Sequence, residues 1–288
     1  MLITAYSLNA LLMFLIPIFL GIFLARNYQL SWRLFLFGGA AFILAQLFHL
    51  PLNALLTRIV PGLGADGNIW VQAITLGFTA AITEELARYS ILRNNLREAR
   101  SWKQALMFGA GHGGFETMIL GILAALTLVN MIVIKNNPHS LDSLAALDPQ
   151  KLALVQQQVS AFWSAPWYLT LMGAVERVSA LTIQISLAVI VMQIFLRKNT
   201  HWLWLAVGWH WFVDAVSVLS AAHFSIPLTE LIIGVLAVTS LTIIFYLRPI
   251  EPEEADQASP EPPAPVPLDD LHFNPSPDSL DDSRYTPS

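Results

Sequence analysis

The sequence predicts an all-α fold, a polytopic helix bundle that crosses a membrane about seven times. The chain of 288 residues is 55% hydrophobic and only 12% charged, with a mean hydropathy of +0.58. Soluble globular chains carry about 25% charged residues. The apolar residues also occur in long runs of roughly 20, the length that crosses the hydrocarbon core. The chain contains no cysteine, which excludes disulfides, thiolate metal sites and cysteine nucleophiles.

Seven segments are predicted to span the membrane. They are 7–24, 34–56, 69–92, 104–134, 165–196, 202–222 and 226–247. The first lacks the basic segment and small-residue cleavage site of a signal peptide, so we interpret it as a true span. The fourth and fifth are longer than one crossing, so we expect them to tilt or extend past the membrane. Between them, residues 148–161 have helix-forming composition within a polar surface loop.

Basic residues in the loops predict the orientation of these spans. One end of the bundle carries Arg26, Arg33, Arg93, Arg97, Arg100, Lys103, Arg197, Lys198 and Arg248. The other end carries only Arg58, Lys135 and Lys151. Because cytoplasmic loops hold the excess of Lys and Arg, we expect an external N-terminus and a cytoplasmic C-terminus in a prokaryotic cytoplasmic membrane. This topology explains the basic loops, and nothing in the sequence indicates nucleic acid.

The last 40 residues, 249–288, differ from the rest of the chain. They hold ten of the 17 prolines and a charge balance of −9, whereas residues 1–248 have a balance of +4. Such a segment has too few apolar residues to bury a core. We therefore predict a transmembrane domain, 1–248, followed by a disordered acidic tail, 249–288. The tail is a solvated appendage or, as an alternative, a segment that binds a partner.

Ionisable residues inside the apolar spans are the main functional signal. A charge at the bilayer centre costs at least about 2.5–3.5 kcal/mol, so such residues are functional candidates. The motifs are Glu84-Glu85-x-x-Arg88, His112-x-x-x-Glu116, Glu176-Arg177 and His210-x-x-x-Asp214. Glu84, His112 and His210 each lie nine residues from a marker at the basic end, about 13 Å along a helix. We predict that they meet in one layer.

Spacing of four residues places the members of two motifs on one helical face. His112 and Glu116 share such a face, and so do His210 and Asp214. We therefore predict that His112, Glu116, His210 and Asp214 are ligands of a divalent metal, and zinc suits this donor set. Asp214 could instead orient His210. A glycine cluster around His112 would let the third or sixth span approach closely.

Each motif also has a purely structural interpretation. Glu84, Glu85 and Arg88 could form only an ion pair between helices. The glycine cluster around His112 could be only a packing motif, with the histidine incidental. Site lining and a buried ion pair are equally good interpretations of Glu176-Arg177 in the fifth span.

Taken together, the ordered motifs resemble those of the CAAX-processing and bacteriocin-processing superfamily of intramembrane proteases. The run 111–116, Gly-His-Gly-Gly-Phe-Glu, together with Glu176-Arg177, is most similar to the YhfC branch of intramembrane metalloproteases. PrsW-type proteases are relatives of the same class. The resemblance covers about residues 69–214.

This resemblance implies a membrane peptidase with a polar cavity that faces the cytoplasm. By the resemblance, Glu84 would be the activating carboxylate, with Glu85 beside it and Arg88 orienting the pair. His112 and His210 would bind a metal or polarise the water and the oxyanion. The gap from the glutamate pair to the arginine is one residue shorter than in the prenyl-peptide proteases.

The fifth span has a polar side that suits a cavity wall. Glu176, Arg177 and Gln184 lie on this span and are possible lining residues. In the YhfC branch a histidine can occur at the position of Gln184, so one polar ligand is weakened in this chain.

The sequence thus predicts hydrolysis of a membrane peptide or protein, in or beside the bilayer, by an activated water. One alternative is an ion-coupled transporter, because intramembrane Glu, His and Asp also form proton relays. Transporters usually contain internal repeats, and none is visible here. The other alternative is a catalytically silent membrane scaffold. Neither the substrate nor the oligomeric state can be read from the sequence.

Overall fold

A computed structural model describes residues 1–64, 66–141 and 148–249, and within these ranges the chain is helical without any strand. The helices are α1 (Leu2–Tyr28), α2 (Trp32–Ile59), α3 (Ile69–Asn94), α4 (Trp102–Asn136), α5 (Pro149–Ser164), α6 (Met172–Leu196), α7 (His201–His223) and α8 (Ile226–Tyr246). Short 3₁₀ turns occupy Pro138–Leu141 and Leu169–Leu171. The all-α prediction is confirmed. Apart from Pro249, the predicted tail lies outside the described residues.

Polar residues in the short loops determine where several helices begin. The Ser31 hydroxyl accepts a backbone N–H of α2 at 3.2 Å, and the Asn68 side chain accepts one of α3 at 2.8 Å. Ser101 caps α4 at 3.2 Å, and Asp148 caps α5 at 2.9 Å. Each cap satisfies an N–H that has no partner within its helix. The helix predicted at 148–161 is therefore present as α5.

Within the described ranges, six helices are long and apolar enough to cross a membrane. They are α1, α2, α4, α6 with the turn before it, α7 and α8. The predicted third span, α3, has 26 residues, about 39 Å, so its length suffices. Its composition does not, because it carries Glu84, Glu85, Arg88 and Arg93. The side chains of Glu84, Glu85 and Arg88 are buried inside the bundle, so these three charges do not face the surrounding medium.

Helices α4 and α6 form the centre of the bundle. Helix α4 packs against α1, α2 and α6, whereas α3 packs against α2 and α7. Helix α6 also contacts α8. The predicted fifth span divides into the turn Leu169–Leu171 and α6, and α4 extends over 35 residues. This arrangement surrounds the polar segments of α3, α4, α6 and α7 with apolar helix faces.

The glycine cluster of α4 does bring backbones together, but not those of the third or sixth span. A Cβ atom at Gly111 would lie 2.0 Å from the carbonyl oxygen of Phe35, and one at Gly38 would lie 2.0 Å from that of Phe108. Helices α2 and α4 therefore touch backbone to backbone. Gly109 of α4 packs against α6 in the same way. The third span nevertheless comes within ligand distance of His112, as predicted, because Glu84 of α3 reaches it through its side chain at 3.1 Å.

Candidate active site

The structure brings three of the sequence motifs together at one carboxylate. The Nε2 atom of His112, on α4, lies 3.1 Å from Oε2 of Glu84 on α3. The Nε2 atom of His210, on α7, lies 3.8 Å from the same oxygen. All three residues are buried. The predicted convergence of these motifs in one layer is confirmed.

Glu85 and Arg88 form the second part of this cluster. The Nδ1 atom of His210 lies 2.7 Å from Oε1 of Glu85, as a hydrogen-bonded pair. The Arg88 guanidinium donates to Glu85 and lies 3.6 Å from Oε2 of Glu84. Glu85 and Arg88 are fully buried, and buried charges of this kind require partners. Arg88 therefore stabilises both carboxylates, while Glu85 fixes the orientation of the His210 ring.

Gln184 of α6 lies inside the cluster rather than on a cavity wall. Its Nε2 atom donates to Oε2 of Glu116 at 2.9 Å and approaches Oε2 of Glu84 at 3.4 Å. Its Oε1 atom accepts a hydrogen bond from Arg88. A single amide thus links the two carboxylates and the guanidinium. A glutamine can do so because its two ends have opposite hydrogen-bonding character.

Glu116, Glu176 and Arg177 form an ionic group next to this cluster. Arg177 donates to Oε1 of Glu116 at 2.9 Å and also to Glu176. Both interpretations of Glu176-Arg177 are therefore realised, because the pair is ionic and Glu176 also lines a cleft. The Glu116 carboxylate is held by Arg177 and Gln184, one residue on each oxygen.

The four predicted metal ligands do not form one coordination group. Within the described residues, no three His, Asp or Glu side chains are placed together to hold a metal ion. Glu116 is occupied by its two partners, and Asp214 lies 3.6 Å from Nε2 of His210. His210 has the usual character of a metal ligand, since its other ring nitrogen bonds a carboxylate. His112 lacks that feature, because its Nδ1 atom has no hydrogen-bond partner in the described part of the chain.

Helix α2 contributes polar residues that the sequence reasoning did not assign to the site. Gln46 donates to Oε1 of Glu84 at 3.4 Å and also pairs with His49 at 3.4 Å. Asn53 contacts Nε2 of His49 at 2.7 Å and accepts from Thr79 at 2.8 Å. The available signal was the spacing of positions 46, 49 and 53, which repeats on one face of an apolar helix.

Comparisons with known proteins agree with the arrangement of the motifs. The sequence model described as "YhfC intramembrane metalloprotease" matches residues 12–236. A Bacillus subtilis (strain 168) protein described as "Uncharacterized membrane protein YhfC" is 28% identical over 226 residues, covering 77% of this chain and 81% of that protein. No solved structure matches the chain. Together with the apolar helices, these matches show an integral membrane protein.

Proposed function

Because the chain belongs to the YhfC intramembrane metalloprotease family, we propose that it is an endopeptidase that hydrolyses membrane peptides or proteins in or beside the bilayer. The observation that carries this proposal is the convergence of His112 and His210, from two helices, on the Glu84 carboxylate. A buried carboxylate between two imidazoles is the chemistry that water activation requires. The loop charges support a prokaryotic cytoplasmic membrane, with the N-terminus outside and the tail in the cytoplasm.

In this proposal Glu84 is the general base. Its Oε2 atom takes a proton from a water molecule while the water oxygen attacks the carbonyl carbon of the scissile bond. The same proton then passes to the leaving amine as the C–N bond breaks, which returns Glu84 to its starting form. The Nε2 atom of His210 accepts a hydrogen bond from the second O–H group of the water, without taking its proton, and so orients the water towards the substrate. Glu85 holds His210 in that tautomer through the 2.7 Å contact.

The tetrahedral intermediate requires a hydrogen-bond donor for its oxyanion. The Nε2–H group of His112 points at Glu84 and is the donor nearest to the reacting atoms. A donor of this kind, positioned before the reaction, lowers the activation free energy by about 2.7–4 kcal/mol. Arg88 is a positioning residue, because it touches Glu84, Glu85 and Gln184 rather than the substrate.

The family description also supports a metal, for which we propose zinc. A bound ion would replace the direct contacts between Glu84 and the two imidazoles. His112 and His210 would then hold it through their Nε2 atoms, instead of donating to the oxyanion and accepting from the water. The ion would act as a Lewis acid at the scissile carbonyl. We expect purified protein to contain about one zinc ion per chain and the His112→Ala and His210→Ala variants to lose it. The matched control is His49→Ala, and zinc retained by both site variants would contradict this assignment.

The proposed function is tested by replacing Glu84 in the intact membrane. We expect Glu84→Gln to lower cleavage of the native substrate at least about a hundredfold, because the base is removed. Comparative proteomics of membrane fractions would show the uncleaved substrate accumulating. The control is Glu98→Gln, since Glu98 pairs with Arg33 on the exposed surface.

Two results would contradict the peptidase. One is an unchanged membrane proteome in a Glu84→Gln variant that inserts normally. The other is loss of proton-coupled uptake in liposomes without any change in proteolysis, which would favour the transporter. A variant without effect in either assay would favour the scaffold.

A further inference from the structure

The site is sealed on the side that faces the basic loops. Between the Glu84 cluster and those loops lie the side chains of Leu92, Met107, Phe108, Leu187 and Met192, all of them fully buried. They belong to α3, α4 and α6 and form one apolar core. Among the described residues, this side of the Glu84 cluster is therefore packed with apolar side chains.

The opposite side of the site is progressively exposed. The exposed fraction of the side chain is 35% for Glu176, 32% for Asp214, 21% for Glu116 and 12% for Arg177, and it falls to 8% at Glu84. The exposure of these side chains therefore decreases from the outermost carboxylates towards Glu84.

A cleft of about 480 Å³ lies at the outer end of this gradient. It is formed where α6 begins, α7 ends and α8 begins. Glu176, Ser217, Phe224 and Glu230 are among its lining residues. Its walls combine apolar side chains with a few polar groups, as binding clefts do.

Two polar stripes connect this cleft to the site. On α6 and α4, an unbroken series of hydrogen bonds leads from Glu176 through Arg177, Glu116 and Gln184 to Glu84. On α7, the residues His210, Asp214 and Ser217 occupy one face at i, i+4 and i+7. The groups of the first stripe bond one another, so a peptide backbone that follows it would exchange hydrogen bonds with them.

We propose that the substrate's peptide segment enters through this cleft, from the face opposite the basic loops, and follows the polar stripes to Glu84. This rests on the proposed function. A peptide backbone within a membrane needs hydrogen-bond partners, which the stripes provide and the lipid does not.

The length of the path can be counted along α6. Glu176 and Gln184 are eight residues apart, about 12 Å, which equals roughly four residues of extended substrate. The scissile bond therefore lies roughly four residues from the substrate residue in the cleft. This opening replaces the cytoplasm-facing cavity that the resemblance implies.

The absence of cysteine makes the entrance directly testable with single-cysteine variants. Ser217→Cys marks the cleft, and the matched Ser186→Cys marks the fully buried side. Arg97→Cys, in the exposed loop after α3, identifies the basic side. A membrane-impermeant sulfonated maleimide is added to each side of sealed vesicles. We expect it to modify Ser217→Cys only from the side opposite to Arg97→Cys and to leave Ser186→Cys unmodified.

Labelling of Ser217→Cys from the Arg97→Cys side, or from neither side, would overturn the entrance. A second measurement addresses the occupant. Ser217→Cys carrying the maleimide adduct should not cleave the substrate, whereas Arg97→Cys carrying the same adduct should cleave it as the cysteine-free wild type does. Full cleavage by the labelled Ser217→Cys variant would show that the substrate enters elsewhere. Failure of the peptidase itself is distinguished by Glu84→Gln, because the labelling pattern does not depend on proteolysis.

Discussion

The two halves of the bundle on either side of Glu84 are built in different ways. Towards the basic loops, side chains such as Leu187 and Met192 are completely buried and mainly apolar. Towards the opposite face, Glu116, Glu176 and Arg177 are partly exposed and surround the approach to a cleft. We call the half towards the basic loops the closed half, because its side chains are buried, and the half that contains the cleft the open half, because its side chains are partly exposed.

This difference determines how each half tolerates charge. In the closed half every charge must have a partner, because a buried ion without one is costly. In the open half, water can replace a lost partner, so the same kind of ion pair contributes less. The closed half therefore depends more on its buried ion pairs, and the open half contains the proposed entrance to the site.

The largest expected effect is the loss of the buried guanidinium. Arg88→Met leaves Glu84 and Glu85 without their shared cation, and we expect it to lower the free energy of unfolding by about 3–5 kcal/mol. Arg177→Met is the matched change in the open half. We expect Arg177→Met to lower the free energy of unfolding by only about 1.5–3 kcal/mol, the contribution of a hydrogen bond to a charged group. Unfolding of purified protein in detergent, followed by tryptophan fluorescence, measures both. Equal losses would contradict the distinction between the halves.

A smaller effect is expected at the contact between α2 and α4. Gly111→Ala places a methyl group against the backbone of Phe35. We expect it to lower the free energy of unfolding by an amount in the upper part of the range of about 1–3 kcal/mol. The control is Gly208→Ala on α7, where a Cβ atom would meet nothing within 4 Å. That change should be neutral or stabilising by up to about 1 kcal/mol, since alanine favours a helix over glycine. Similar unfolding midpoints for both variants would show that the α2–α4 contact is looser than described.

The smallest effect is expected at Gln46. Gln46→Leu removes one hydrogen bond to Glu84, and we expect a loss of about 0.5–1.5 kcal/mol in the free energy of unfolding. The same substitution at the exposed Gln157 of α5 should change it by less than about 0.5 kcal/mol. The same fluorescence measurement compares the two. If the Gln46 variant unfolds like the Gln157 variant, the polar series on α2 does not support the site.

Much of the fold follows from apolar run length and loop chemistry. Those runs predict the seven long helices. Glu84, His112 and His210 are predicted to share a layer, because the depth of each residue in its span can be counted from the basic loops. Pairwise contacts follow less directly. The motif spacing could not show that Gln184 bridges Glu84 and Glu116, because this depends on how α6 rotates against α4.

The direction in which the site opens could not be predicted either. A polar residue has the same letter in the sequence whether its side chain faces a sealed core or a cleft. Gln46 and His49 were missed for a related reason, since an isolated polar residue in a span is usually a packing element. Only the packing of α2 against α3 shows that Gln46 reaches Glu84 and that His49 pairs with Gln46.

The backbone contact at Gly38 and Gly111 also positions a residue of the site. Helices α2 and α4 touch at these glycines, so the position of His112 on α4 depends directly on the backbone of α2. His210 lies on α7, which packs mainly on α3. The two imidazoles at the Glu84 carboxylate are therefore positioned by different helix pairs.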